Sequence, residues 1–226
     1  KLIPGTGETL ITANLKHARK KRMIRHLQKL DDDIVIVDVG AGTSYHTLDF
    51  FLLADYYLAV ATPDPTSVLD LYRFIKLAAI RKVLTTFLAR DPISEALLNK
   101  DFHSIADVLE SVGRTSESGM ALAQEALQNF KPALILNRMT PKARINTLQL
   151  QQLLKQYVGT TLTVAGNIPE DPQVHDSILK YLPVVDFAPN SPAAQAFLPL
   201  SENIFSLINQ PRVLEKTDEE PRKLRA

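Results

Sequence analysis

IVIVDVGAG, residues 34–42, is an apolar, β-branched run followed by an aspartate and two glycines. A run without polar interruptions is typical of a parallel sheet, whose strands are buried on both faces. Similar runs occur at 58–61, 133–136 and 162–165, and 183–185 has the composition of a short edge strand. These runs predict a sheet of mostly parallel strands.

Helical patterns lie between the predicted strands. Residues 8–30 and a segment starting at Pro65 carry apolar side chains at helical spacing. Asp64, and Ser191 before the helix predicted at 192–208, are start signals because such side chains cap the first turn. Alternating strands and helices predict an α/β fold, with a mostly parallel sheet and helices on both faces.

The chain is organised around one predicted α/β domain at 1–210. Residues 90–130 hold two helical patterns with no strand between them, and we interpret this segment as a helical insertion. Residues 211–226 are charged and contain few aliphatic side chains, so we expect a disordered tail.

The composition excludes several classes of function. The chain has 226 residues and a formal net charge of +1, so its total charge indicates no partner. It has no cysteine, which excludes disulfides and thiolate metal sites, and its five histidines form no HxxxH pair. No apolar run approaches the roughly 20 residues of a transmembrane helix. The absence of cysteine fits a cytoplasmic protein, which we expect.

The residues after each apolar run are the candidate site, because ligands of such sheets bind at the carboxyl ends of the strands. Asp38 occupies the position of a carboxylate that supports Mg²⁺, often through water, beside nucleotide phosphates. Gly40 and Gly42 allow the backbone to approach a terminal phosphate. A plain turn after a strand is the alternative interpretation. A Rossmann pattern is weaker, because Tyr45 occupies the position of its third small residue.

Two later strand ends carry residues suited to a purine. Asn137, next to Arg138, has both a donor and an acceptor and can read a purine edge. The loop that contains Pro169 and Asp171 can wrap a base. The alternatives are a turn asparagine at 137 and a helix cap at 171.

Together these segments resemble the MinD/ParA family of P-loop ATPases, in particular the MinD-like branch, which includes regulators of flagellar number. Residues 33–76, DIVIVDVGAGTSYHTLDFFLLADYYLAVATPDPTSVLDLYRFIK, resemble its Walker B motif, switch II and following strand. LILNRMTPKA at 134–143 resembles the base-recognition strand, and GNIPEDPQVHDSILKYLPVVDFAPNSPAAQAF at 166–197 resembles the last sheet segment and closing helix. The order and spacing agree over 2–208, apart from the insertion.

The resemblance implies a role for each matching residue. Asp38 is implied to be the catalytic residue that supports Mg²⁺ during ATP hydrolysis, with two glycines sensing the γ-phosphate and four later residues near the adenine. The residues implied to bind the nucleotide are Gly40, Gly42, Asn137, Arg138, Pro169 and Asp171. The implied cofactors are ATP and Mg²⁺, and the implied assembly is a homodimer that forms around ATP.

The family's glycine-rich, lysine-bearing phosphate loop is missing from this sequence, since none of the eight glycines is followed by lysine. The segment 5–9 is no substitute, because it lacks the lysine that neutralises phosphate charge and Glu8 repels phosphate. The resemblance places the first strand, the P-loop and switch I before Lys1. The chain is therefore either a fragment, which the missing methionine favours, or a protein that kept the scaffold and lost catalysis. We expect an incomplete P-loop NTPase-like fold that is inactive alone.

Residues 16–29 of the first predicted helix are strongly basic. The basic residues are Lys16, Arg19, Lys20, Lys21, Arg22, Arg25 and Lys29. Such a cluster can make weak contacts with an anionic membrane or nonspecific contacts with DNA. The alternative is a solvated face balanced by acidic neighbours. The tail has too little apolar area for firm insertion, so any association with the inner membrane is expected to be peripheral.

The leading hypothesis is an ATP-binding and ATP-hydrolysing molecular switch that positions cellular machinery, such as a division site, a flagellum or a chromosome. A non-catalytic interaction module on a degenerate scaffold is the alternative. An ATP-dependent ligase or synthetase on the same scaffold is a third possibility, for which the sequence offers no recognisable substrate-binding residues.

Overall fold

The computed structural model describes residues 2–3, 17–87, 97 and 100–209. Strands β1 (Leu58–Ala61), β2 (Ala133–Met139) and β3 (Thr163–Pro169) form a parallel sheet in the order β1-β2-β3. The helices are α1 His17–Leu27, α2 Tyr45–Leu53, α3 Pro65–Thr86, α4 Ile105–Gly113, α5 Glu117–Gln128, α6 Thr147–Tyr157, α7 Pro172–Leu179, α8 Val184–Phe187 and α9 Pro192–Ile208. The predicted α/β class with parallel strands is confirmed.

The caps predicted from the sequence start two of the longest helices. The Asp64 carboxylate accepts a hydrogen bond from the Ser67 amide at the start of α3, and Ser191 accepts one from Ala194 at the start of α9. The helix predicted at 8–30 is present as α1 over its described part. Its first residues, and the tail at 211–226, lie outside the described residues.

Helices cover both faces of the sheet. Leu134 and Leu136 of β2 point into the main core, which they share with helices α2 to α6. Ala133 and Ile135 point to the opposite face, where Leu200 of α9 packs against them. The alternation follows from the two-residue period of a strand, and it explains why the start of β2 is entirely apolar.

The edge strand β1 is buried on one face only. Leu58 and Val60 are 40% and 62% exposed, and the register places them beside Ala133 and Ile135, on the α9 face. α9 packs over β3 and β2 and leaves β1 uncovered. The prediction of burial on both faces is therefore wrong for β1, because the covering helix does not extend that far.

Two predicted strands are absent from the described part of the chain. Residues 34–37 form no strand, and Ile36 is 88% exposed. A β-branched run becomes a strand only when a neighbour supplies hydrogen bonds and cover, and no described strand pairs with this run. Residues 183–185 form the start of the short helix α8 instead. The Pro183 carbonyl accepts hydrogen bonds from the amides of Asp186 and Phe187.

The segment predicted as a helical insertion contains α4 and α5. Both pack against α3, with Val108, Val112, Ala123 and Leu127 in the main core. No strand occurs in the described stretch 100–130, as predicted. The two helices thus add to the core beneath the sheet.

The basic helix α1 is attached to the core through one carboxylate. Lys20 donates a hydrogen bond to Asp49 of α2, which also accepts two from Arg81 of α3. Lys20 is buried, so it is not available to an external anion, whereas Arg19 and Lys29 are exposed. Within the described ranges, none of the helices combines the length and apolar composition of a membrane span.

Candidate functional site

The carboxyl ends of β2 and β3 lie side by side. Met139 pairs with Pro169 in the sheet register, and the Glu170 amide donates a hydrogen bond of 3.0 Å to the Met139 carbonyl. The structure therefore brings together the strand ends that carry Asn137, Arg138, Pro169 and Asp171, which the resemblance places near the adenine.

Asn137 and Arg138 form a locked turn at the end of β2. Arg138 has a φ of 57°, which non-glycine residues seldom adopt. The Asn137 side-chain oxygen accepts a hydrogen bond of 2.9 Å from the Arg138 amide and so stabilises this conformation. The side-chain oxygen of Asn137 thus stabilises the turn, which is the alternative that the sequence left open for this residue. The side-chain nitrogen of Asn137 is not used in the hydrogen bond to Arg138.

Arg138 and Glu170 form a two-point ion pair across the strand ends. The Arg138 Nε and a terminal nitrogen donate to the two Glu170 oxygens at 2.9 and 3.1 Å. The pair raises the pKa of Arg138 and lowers that of Glu170. The sequence prediction did not include Glu170. The sequence did contain one signal. Glu170 directly follows Pro169, and its negative charge can pair with the positive charge of Arg138 at the end of the neighbouring strand.

The end of β1 contributes a second carboxylate. Asp64 accepts hydrogen bonds from the Thr62 hydroxyl, from the Thr66 hydroxyl at 2.6 Å and from the Ser67 amide at 3.0 Å. These bonds hold the pKa of Asp64 well below its ordinary value. Glu170 contributes most to the raised pKa of Arg138, and the charge of Asp64 adds a smaller contribution. The ends of the three strands therefore share one electrostatic environment.

Asp171 joins the starts of two helices. One carboxylate oxygen accepts from the Gln173 amide of α7 and the other from the Ala193 amide of α9, both at 2.9 Å. The bonds from Ala193 and Gln173 lower the pKa of Asp171. The cap alternative is confirmed for this residue. A role in lining a base pocket, together with Pro169, stays a prediction.

The residues predicted to face the phosphates lie outside the sheet. Asp38, Gly40 and Gly42 are exposed in the segment before α2, so the premise that Asp38 ends a buried strand is wrong. Gly42 has a φ of 127°, which favours glycine. Neither glycine has a neighbouring atom within 4 Å of a Cβ position. Their roles as phosphate sensors stay predictions.

The donor set fits Mg²⁺ only in combination with phosphates. Among the described residues, no group of three acidic or histidine side chains is arranged to hold a metal ion. A single exposed carboxylate such as Asp38 suits Mg²⁺ that keeps several waters and takes other ligands from a nucleotide. Such an ion would neutralise phosphate charge there, and Asp38 would orient its water shell.

An open groove of about 460 Å³ adjoins the end of β2. Its size is within the usual range of roughly 300–1,000 Å³ for small-molecule sites. The lining residues are Met139, Ala143, Arg144, Ile145, Asn146, Thr147 and Leu148. Of these residues, Met139 also pairs with Pro169 in the sheet register.

The parallel sheet with helices on both faces defines the chain as a protein of the α/β class. No family model matches it. It is 21% identical over 208 residues to the antiactivator FleN of Pseudomonas aeruginosa, covering 91% of this chain and 59% of FleN. It is 26% identical over 175 residues to an uncharacterized ATP-binding protein of Methanocaldococcus jannaschii, covering 77% and 47%. These similarities support the predicted resemblance to the MinD/ParA-like family of P-loop ATPases.

The chain spans about half the length of these relatives. Solved structures similar to it include the septum site-determining protein MinD of Pyrococcus horikoshii with Mg-ADP, at 20% identity and a TM-score of 0.47, covering 84% of this chain and 57% of that one. MinD of Aquifex aeolicus is 17% identical with a TM-score of 0.49, covering 88% and 63%.

Proposed function

We propose that this chain is part of an ATP-binding and ATP-hydrolysing molecular switch that positions cellular machinery. The observation that carries the proposal is the joining of segments 137–139 and 169–171 at one edge of a parallel sheet. Similarity to an ATP-binding protein supports nucleotide binding, and similarity to an antiactivator supports a regulatory role.

The proposed site has a base side and a phosphate side. Asn137, Arg138 and Pro169 flank the adenine, while Asp171 holds the adjacent helices. The phosphate side consists of Asp38 with its Mg²⁺ and of the glycines at 40 and 42, whose exposed loop can move when the γ-phosphate leaves. The lysine that binds the phosphates comes from a polypeptide segment that this sequence does not contain.

The switch operates as a homodimer that forms around ATP and separates after hydrolysis. Because catalysis needs the phosphate loop, hydrolysis is a property of the full-length gene product. Its place of action is the cytoplasm, with peripheral contact to the inner membrane or to DNA through the exposed cations of α1.

The test is nucleotide binding and turnover by the full-length gene product. We expect Mg²⁺-dependent ATP hydrolysis that Asp38→Ala abolishes, because the water shell of the Mg²⁺ loses the carboxylate that orients it. Asp33→Ala removes an exposed carboxylate nearby and is the matched control. A full-length protein without measurable affinity for ATP would contradict the proposal and favour a non-catalytic interaction module.

A further inference from the structure

The guanidinium of Arg138 is held in one plane. Two parallel hydrogen bonds to Glu170 restrict the rotation that a single bond would leave. The backbone beneath it is restrained as well, by the hydrogen bond from its own amide to Asn137. Arg138 is thus fixed at both ends of its side chain.

This fixed group remains accessible. The side chains of Arg138 and Glu170 are 67% and 43% exposed. Glu170 occupies an edge of the guanidinium, which leaves the flat faces as the surfaces a ligand can meet. A planar guanidinium stacks well on aromatic rings.

The charges around Arg138 decide what kind of ligand fits. The segments 62–67, 137–139 and 169–171 contain three carboxylates, of Asp64, Glu170 and Asp171, and a single cation, Arg138. Glu170 contacts Arg138, and the charge of Asp64 also acts on it. The hydrogen bonds that lower the pKa of each carboxyl keep all three ionised near neutral pH. Such an environment repels phosphates, but it accepts an uncharged ring with amino groups.

We propose that Glu170 is a positioning residue that holds the Arg138 guanidinium flat, so that an uncharged purine ring stacks on it. The inference rests on the proposed nucleotide-binding function and adds Glu170 to the base side of that site. An exposed ion pair contributes little to folding, so Glu170 can be replaced without loss of the fold.

The experiment measures dissociation constants of the full-length gene product for ATP and for ribose 5′-triphosphate, which lacks the base. Loss of stacking costs about 5- to 100-fold in affinity, so we expect Arg138→Ala to weaken ATP binding in that range. Glu170→Ala should weaken it by about three- to tenfold, because the guanidinium persists without its fixed plane. Glu170→Gln, which keeps one acceptor, should lie between the wild type and Glu170→Ala.

The affinity for ribose 5′-triphosphate should not change in either Glu170 variant. Glu202→Ala removes an exposed carboxylate on α9 and serves as the control, and thermal unfolding shows that each variant is folded. Equal weakening of both ligands, or unchanged ATP binding by Glu170→Ala, overturns the inference and leaves the proposed function standing. A wild-type protein that binds neither ligand overturns the proposed function and the inference with it.

Discussion

Asp49 on α2 accepts two hydrogen bonds from the Arg81 guanidinium on α3, at 2.7 and 3.2 Å. Lys20 of α1 donates to the same carboxylate. All three side chains are largely buried, so one negative charge compensates two positive charges away from water. A single carboxylate thereby holds three helices together.

Replacement of Asp49 by alanine should destabilise the protein by about 3 kcal/mol, because it leaves Lys20 and Arg81 buried without a partner. Urea denaturation measures the loss of unfolding free energy. Asp70→Ala is the control, since Asp70 forms an exposed ion pair of 3.3 Å with Arg73. That pair should contribute less than about 0.5 kcal/mol. Similar losses in both variants would contradict the assigned role of Asp49.

The pH dependence of stability should change in the Asp49→Asn variant. Burial alone raises the pKa of Asp49, but hydrogen bonds from Arg81 and Lys20 outweigh it and hold the pKa below its ordinary 3.8. A lowered folded-state pKa contributes stability that is present above the unfolded-state pKa and is lost as pH falls through the folded value. The stability difference between wild type and variant should therefore be constant above about pH 5 and shrink below pH 3.8. Denaturation curves across this range test it.

Tyr181→Gly should stabilise the protein. Tyr181 follows the C-cap of α7 and has a φ of 55°. The turn is closed by two hydrogen bonds, from the Tyr181 amide to the Ile178 carbonyl and from the Leu182 amide to the Ser177 carbonyl. This position favours glycine, and the tyrosine side chain is 95% exposed and adds little packing. We expect a gain of about 1 kcal/mol by urea denaturation. Lys180→Gly, at a residue with a φ of −97°, should give no gain.

Asp171→Ala should lower the thermal unfolding midpoint by about 4 °C, because the starts of α7 and α9 lose an acceptor. Asp176→Ala, on the exposed side of α7, should leave the midpoint unchanged. Calorimetry distinguishes the two variants. An Asp171→Ala protein with unaltered stability and lost ATP affinity would show that the carboxylate acts on the ligand and not on the fold.

Gly42→Ala should be more harmful than Gly40→Ala. A Cβ meets no atom at either position, so steric crowding is equal, but only Gly42 has a positive φ, of 127°. Alanine there costs about 1 kcal/mol or more of backbone strain, or it changes the loop conformation. Urea denaturation measures the loss of unfolding free energy caused by the strain. ATP turnover by the full-length product shows whether the loop conformation has changed. Equal effects in both variants would remove conformation as the reason for glycine at 42.

The strand-end site could be predicted only in part. Asn137 and Arg138 were recognisable because they are polar residues that directly follow an apolar run, and Pro169 because it lies in the loop after the next run. Glu170 was missed, since its meaning depends on which residue lies opposite in the neighbouring strand. Register is a relation between two distant segments, and the apolar pattern of one segment does not specify it.

Local chemistry in the sequence determined the helix starts and the central strand. Asp64 and Ser191 cap helices because their side chains reach amides three residues ahead, and 133–136 is a strand because it is apolar on both faces. Only the tertiary structure decided that 34–37, with an equally good strand pattern, forms no strand, and that β1 is half-covered. The physical reason is that a strand requires hydrogen bonds and cover from other parts of a fold, whereas a cap is completed within one turn of helix.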